Sequence, residues 1–306
     1  MQLQPVSNII ESRFDNIQQR TIAKNTFVNP NRAERLTEAN KQEVLNFLAK
    51  RPVHTVVMSS FIQDNGMEGA ANRGKFYGYR NSRTAKLEGV ALIGHTTLVE
   101  SRSKNSLASF ALAARLSETP IHIVMSDGKT VEIFWEIYAV AGQKPRVTCT
   151  ELLFELSFPF LKQQCAWGVR SAKAEELEQI AEAHAEVAFA ESGVDPMIRD
   201  REGFLKRCLN RIEKGRTFVV FENGKLVFKA DIVAETADVI YLEGIYVAPE
   251  FRGRNVASQC LAKLGSELLN RVEHICLLSN VELKGAHRSF LKAGFRNTDS
   301  STTIFV

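Results

Sequence analysis

The segment from Thr217 to Glu235 reads TFVVF, then Glu222-Asn223-Gly224-Lys225, then LVFKADIVAE. Asn-Gly readily takes the positive φ angles of a two-residue turn, so this segment predicts an antiparallel hairpin. A third strand, VIYLEGIYV (239–247), follows Asp238. Next come a loop, the helix VASQCLAKLGSELLNRV, the strand HICLLSN (274–280), the helix GAHRSFLKAGF and a terminal strand in TTIFV. Ahead of the hairpin lie a short strand at 167–170 and a helix with Leu177, Ile180, Ala181, His184, Val187 and Ala188 on one stripe. A second helix, roughly 200–214, stops at Gly215. The order β, α, α, β, β, β, α, β, α, β makes this an α/β (α+β) chain in which a sheet is flanked by helices.

The first half carries a weaker version of the same scheme. A helix ends near Arg51, before Pro52; strands follow at 75–81 and 87–100, then a helix at 105–118 and a strand at 121–127. FYGYRN…KLEGVALIGHTTLVE and FVVFENGKLVFKADIVAE share a strand, a turn and a longer strand, a period near 130 residues. Either the chain is duplicated or two short strand pairs resemble one another by chance. A boundary is expected near 155–166, and residues 1–35 read as an N-terminal arm without a sustained period.

The 39 basic and 35 acidic residues leave a net charge of +4, too small to imply nucleic-acid binding, although it suits a local basic pocket for an anion. No apolar run approaches the ~18 residues of a membrane span, and the N-terminus has no signal-peptide pattern, so a cytoplasmic protein is expected. Cys149, Cys165, Cys208, Cys260 and Cys276 are widely spaced with no CxxC, and no two histidines have HExxH spacing. Buried thiols are expected, with no metal site and no GxSxG or Cys/His nucleophile.

The segment richest in chemistry is YLEGIYVAPEFRGRNVASQCLAKL, a strand passing through Pro249 into a basic loop and then a helix near Val256. The first-turn N–H groups of such a helix lack partners within it, and Arg252 and Arg254 add charge, so the segment has the architecture of a diphosphate site. It resembles the signature of the GNAT superfamily of acyl-CoA-dependent N-acetyltransferases, [RQ]-x-x-G-x-[GA]. Here that signature stands as Arg252-Gly253-Arg254-Asn255-Val256-Ala257, with Asn255 at the usual Gly position. Ala286 to Phe295 resembles the second family element, A-x-x-x-Y-x-x-x-G-F, with Phe290 at the usual Tyr and Leu283 where an Asn often stands.

The resemblance implies two GNAT-like domains, each a mixed, mostly antiparallel sheet flanked by helices. The first, 36–160, would lack the CoA loop, and the second, 166–306, would retain it. It implies acetyl-CoA (CoA) as cofactor, held by backbone groups of Ile245, Tyr246 and Val247 and by Arg252, Gly253, Arg254, Asn255, Val256 and Ala257. Asn280 would substitute for the pantetheine-contacting Asn, with Phe290 beside it. Glu243 would be general base, by alternation on the same face as Ile245 and Val247; the alternative is a structural glutamate. His287, three residues before Phe290, would be an acid or else an exposed helix histidine. The activity implied is acetyl transfer to a primary amine, on a small molecule or a peptide, by direct attack in a ternary complex. The alternative readings are a CoA-binding sensor or scaffold and an aminoacyl-tRNA-dependent transferase. Nucleic acid and membrane are not expected as partners, and monomer and homodimer both stay open.

Overall fold

A computed structural model describes residues 33–140, 143–160 and 164–306. The expected N-terminal arm lies outside the described residues except for Ala33–Arg35, which form an edge strand, β1. The first half continues with α1 (Lys41–Leu48), α2 (Pro52–Asn65), β2 (Gly74–Arg80), β3 (Leu87–Gly94), β4 (Thr96–Ser101), α3 (Lys104–Arg115), β5 (Ile123–Asp127), α4 (Gly128–Tyr138) and β6 (Val147–Ser157). The second comprises β7 (Arg170–Ser171), α5 (Leu177–Ser192), α6 (Pro196–Arg199), α7 (Arg201–Glu213), β8 (Thr217–Glu222), β9 (Lys225–Glu235), β10 (Val239–Val247), α8 (Val256–Leu268), β11 (His274–Asn280), α9 (Lys284–Ala293) and β12 (Arg296–Phe305). No helix among the described residues is long and apolar enough to cross a membrane.

The strands form one sheet in the order β1-β2-β3-β4-β5-β12-β6-β11-β10-β9-β8-β7. The meander β2-β3-β4 is antiparallel and adds β5 in parallel; β8-β9-β10 repeats this and adds β11 in parallel. The expected hairpin is present, with Asn223 and Gly224 at φ +49° and +76°. At the centre the halves exchange strands. β6, from the first half, lies against β11, while β12, the end of the chain, lies against β5, and β6 and β12 pair antiparallel with each other. The sheet of each half is therefore continued by a strand of the other, and the expected boundary at 155–166 falls at the end and just beyond a strand that belongs by pairing to the second half.

Three further features depart from the sequence reading. The helix expected to end near Arg51 stops at Leu48, and Pro52 opens a second helix at a position where its missing N–H costs nothing. This α2 was not anticipated because its apolar residues face two ways. Met58 and Ile62 pack with Leu36, Val44, Phe76 and Leu92 of the first half, while Val56 packs with Ala234, Val239, Tyr241 and Cys276 of the second. The single strand expected at 87–100 is two, parted at His95. Gly74 and Gly94 there pack backbone to backbone, and a Cβ on Gly94 would collide with Arg73 O and Gly74 Cα. Finally α4 and β6 fill a stretch, 128–157, to which the sequence reading gave no element.

Candidate functional site

β10 and β11 pair only from Val239 opposite His274 to Leu242 opposite Leu277. Beyond that point β10 follows β9 to Val247, whereas β11 follows β6 to Asn280 opposite Glu151. The two parallel strands therefore part, and the backbone of residues 243–247 has an edge that no strand among the described residues pairs. A bulge sharpens the divergence. Glu243 lies opposite Asp231 and Tyr246 opposite Lys229, so three steps on β10 span two on β9. Gly244, at φ +59°, supplies the backbone angle this needs.

The bulge corrects one expectation. Strict alternation placed Glu243 on the face of Ile245 and Val247, but Leu242, Ile245 and Val247 all pack into the core around α8. Glu243 lies on the other face, opposite the buried Asp231. Tyr246 turns to that face as well, against Ile180 and Ile212 of α5 and α7.

A buried ionic cluster secures the bulge. Lys229, 1% exposed, donates from Nζ to Asp231 Oδ2 at 2.5 Å and to the carbonyl oxygen of Gly244 at 3.1 Å, with His184 Nδ1 at 3.3 Å. Asp231 also accepts from Arg211 at 2.9 Å and from Thr217 at 2.8 Å. Burial works against the Asp231 carboxylate, but Lys229 and Arg211 overcome it and hold its pKa at about 2. Burial, reinforced by Lys229, depresses His184 to about 3, so its ring is neutral. A Cβ at Gly244 would come within 2.8 Å of Lys229 Nζ and 3.0 Å of His184 Nδ1.

Downstream of β10, Gly253 at φ +79° and Asn255 at φ +59° turn the loop into α8. Asn255 meets the left-handed angle that its residue type tolerates, and its Oδ1 accepts from Lys292 at 3.0 Å. No side chain caps α8, and among the described residues no acceptor takes the N–H groups of 253–258. Nothing lies within 4 Å of where a Gly253 Cβ would stand. Open space, orphan donors and the positive end of a helix suit a diphosphate. Of the two arginines, Arg252 is held within the chain, donating to Val247 O at 3.0 Å and to Glu186 at 3.3 Å. Arg254 lies over the Phe251 ring at 5.4 Å.

Glu151 of β6 and Glu191 near the end of α5 join Glu243 across the open strand edge. Each carboxyl is raised, first by lost hydration; Glu191 is raised further by Glu243 and Glu151, and Glu151 by Glu243. Tyr241 hydrogen-bonds Glu243 and moderates its shift, while Thr303 Oγ1 holds Glu151 at 2.6 Å. Glu151 and Glu191 were not found from sequence, because one comes from the exchanged strand and the other from a helix end that precedes Glu243 by two helices and two strands. Lys229 and Asp231 did leave a signal: a charged pair at period two inside an otherwise apolar strand.

The remaining expected residues lie elsewhere. His287 makes a 3.0 Å Nε2 hydrogen bond to the Asn280 carbonyl and packs against Phe154. Asn280 Oδ1 accepts from Glu282 N at 2.9 Å. Phe290, 4% exposed, is in the core with Phe154 and Phe295, so it has almost no surface to offer a cofactor. An aromatic ring with no polar atom packs where a tyrosine would need a partner for its hydroxyl.

Residues 213–297 match the family model of the acetyltransferase (GNAT) domain. The chain carries a GNAT domain. The match takes in the bulged strand, the uncapped loop and α9. Solved structures extend the likeness in fold to both halves. A Drosophila protein superposes with a TM-score of 0.66 at 12% identity, over 90% of this chain and 98% of that one. A GCN5-related N-acetyltransferase from Sphaerobacter thermophilus gives 0.58 at 12%, over 91% and 96%. A tandem GNAT protein from the clavulanic acid biosynthesis pathway gives 0.55 at 12%, over 90% and 97%. No curated protein matches the sequence.

Proposed function

We propose that the chain transfers an acyl group, acetyl in the simplest case, from acyl-CoA to a primary amine. The observation that carries this reading is the conjunction, within one segment, of a parted strand edge and an uncapped helix N-terminus. Backbone N–H groups from Gly253 to Ala257 would hold the diphosphate, and the free edge at Ile245, Tyr246 and Val247 would bond the amide groups of the pantetheine arm. The thioester brings an activated acyl carbon and a leaving thiol. An amide near Val247 would stabilise the oxyanion formed when the amine attacks.

Glu243 would take the amine's proton, directly or through water; its raised pKa brings it closer to that task than an ordinary carboxylate. Glu151 and Glu191 favour a cationic acceptor over a neutral one. No acid from the chain is needed at the leaving group, because a thiol pKa near ~8.5 lets the thiolate depart. The half expected at 36–160 would act as a wall and scaffold for this reaction.

A CoA-binding protein without turnover is the second reading, favoured by the burial of Phe290 and by the bond between His287 and Asn280. Titration calorimetry with acetyl-CoA and CoA, followed by free-thiol release over a panel of cationic and neutral amines, separates the two. Micromolar binding with thiol release on a cationic amine supports transfer. Binding without release on any amine supports the second reading, and no binding overturns both.

A further inference from the structure

At the other end of the first half's sheet, where β2 and β4 begin, lies a cavity of 430 Å³ bordered by Arg73, Lys75, His95 and His122. It is as large as many small-molecule pockets. The backbone draws three of these basic side chains into a row. His95 N donates to Arg73 O at 3.0 Å, and His95 O accepts from His122 N at 3.0 Å and from Ile123 N at 3.1 Å. The Gly74 and Gly94 contact brings Arg73 and His95 together, and Arg73 itself adopts φ +50°, a left-handed angle rare for a residue with a side chain. Its guanidinium donates to His95 Nδ1 at 3.2 Å, which leaves the neutral ring with its proton on Nε2. The His95 and His122 rings lie 4.5 Å apart.

Among the described residues the nearest carboxylates are Asp200, whose pKa is lowered first by the Gly203 N–H and in part by Arg73, and Glu68. Glu68, the one acid among the described residues lining the cavity, is paired with Arg35 at 3.6 Å. From the second half, Arg199 of α6 and Arg207 of α7 add positive charge, and Asp200 between them is bonded to Arg207 at 3.3 Å. Burial, with Arg73, His122, Arg199 and Arg207, depresses His95 to about 4, and burial with Arg199 and Arg73 lowers His122. A guanidinium, an ammonium and two imidazoles that charge once a negative group arrives form a receptor for a multiply charged tetrahedral anion.

We propose that this cavity is a second ligand site, separate from the parted strands, which binds the phosphate group of a small molecule. It does not depend on the acyl-transfer reading. Because the bound anion stabilises imidazolium, it raises the pKa of both rings above their depressed values in the free protein.

The test is an NMR titration of the full chain with inorganic phosphate and then pyrophosphate, following the His95 and His122 ring signals with CoA in excess. The expected result is saturable shifts of both rings and a rise in their pKa. Affinity should fall at least tenfold in Arg73→Asn, which keeps a residue tolerant of the left-handed angle, and in Lys75→Gln. CoA affinity should stay unchanged in both variants. Shifts that grow linearly with phosphate, or that match those given by acetate at equal ionic strength, overturn the proposal. So does undiminished phosphate affinity in both variants. The ring signals are local, so failure of CoA to bind would count against the transferase reading alone.

Discussion

The two halves part their parallel strands at corresponding places and then treat the gap in opposite ways. β4 and β5 pair as far as Leu98 opposite Met125, as β10 and β11 do to Leu242 opposite Leu277. Past that point β4 keeps an even register with β3, whereas β10 bulges at Gly244. Two residues, Arg102 and Ser103, join β4 to α3, and Ser103 caps that helix by accepting from Ser106 N at 3.2 Å. In the second half residues 248–255 intervene and no side chain caps α8. Arg51 then bridges the first gap, reaching Glu100 on β4 at 3.2 Å and Asp127 on β5 at 3.4 Å. The cavity left there measures 70 Å³, too small for a CoA arm. The same strand pattern makes a strut or a site depending on the length of one loop and the placement of one arginine.

The sharpest break of this comparison is Glu243→Gln, expected to lower kcat on a cationic amine by about 10²- to 10⁴-fold while acyl-CoA affinity holds. The pH–rate limb set by Glu243 should vanish with it, and Val99→Ala at the corresponding first-half position should leave kcat unchanged. Next comes Gly244→Ala. It forces a side chain to a positive φ against Lys229, and a stability loss of about 2–3 kcal/mol is expected in denaturant unfolding, with a much larger loss of turnover.

Arg51→Ala tests the strut. Glu100, 3% exposed, would keep only Arg102 at 3.1 Å, and a loss of about 2 kcal/mol in unfolding free energy is expected from denaturant titration, without change in acyl-CoA affinity. Acid acts through groups of opposite sign. His184 has its folded pKa depressed to about 3, so the unfolded chain takes up a proton that the folded one refuses, and stability falls below about pH 6.5 by about 1 kcal/mol per unit. Glu100, raised by burial, has the opposite sign: the folded state binds the proton more readily, and its penalty eases as pH falls toward and below its folded pKa. Glu191, raised to about 8, shares the sign of Glu100 and opposes His184 between pH 7 and 5, so the Glu191→Gln variant is expected to lose more stability than the wild type over that interval in denaturant unfolding. The smallest contrast is between caps. Ser103→Ala is expected to cost about 1 kcal/mol, and Asn255→Gly less than about 0.5, because the second helix start has no side-chain cap to lose.

What could be read from the sequence was local. Asn223-Gly224 and the loop from Arg252 to Ala257 carry their geometry in neighbouring residues, and both fold as expected. Glu243 was visible as a polar residue in an apolar strand, but its face was not. One glycine at a positive φ reverses the alternation, and only the crowding by Lys229 and His184 shows why glycine is there. Helix α2 was hidden because, wedged between two cores, it lacks the single apolar stripe that marks a surface helix. Glu151 and Glu191 approach Glu243 only through tertiary contacts of β6 and α5, which no spacing in the chain records.

The exchange of β6 and β12 also sets a timetable. β5 emerges from the ribosome well before its neighbour β12, so on the nascent chain its inner edge has no permanent partner until the whole second half has been made. Closure of the sheet thus waits for both halves. A chain shortened by its last ten residues would lose a strand from the middle of the sheet rather than from its rim.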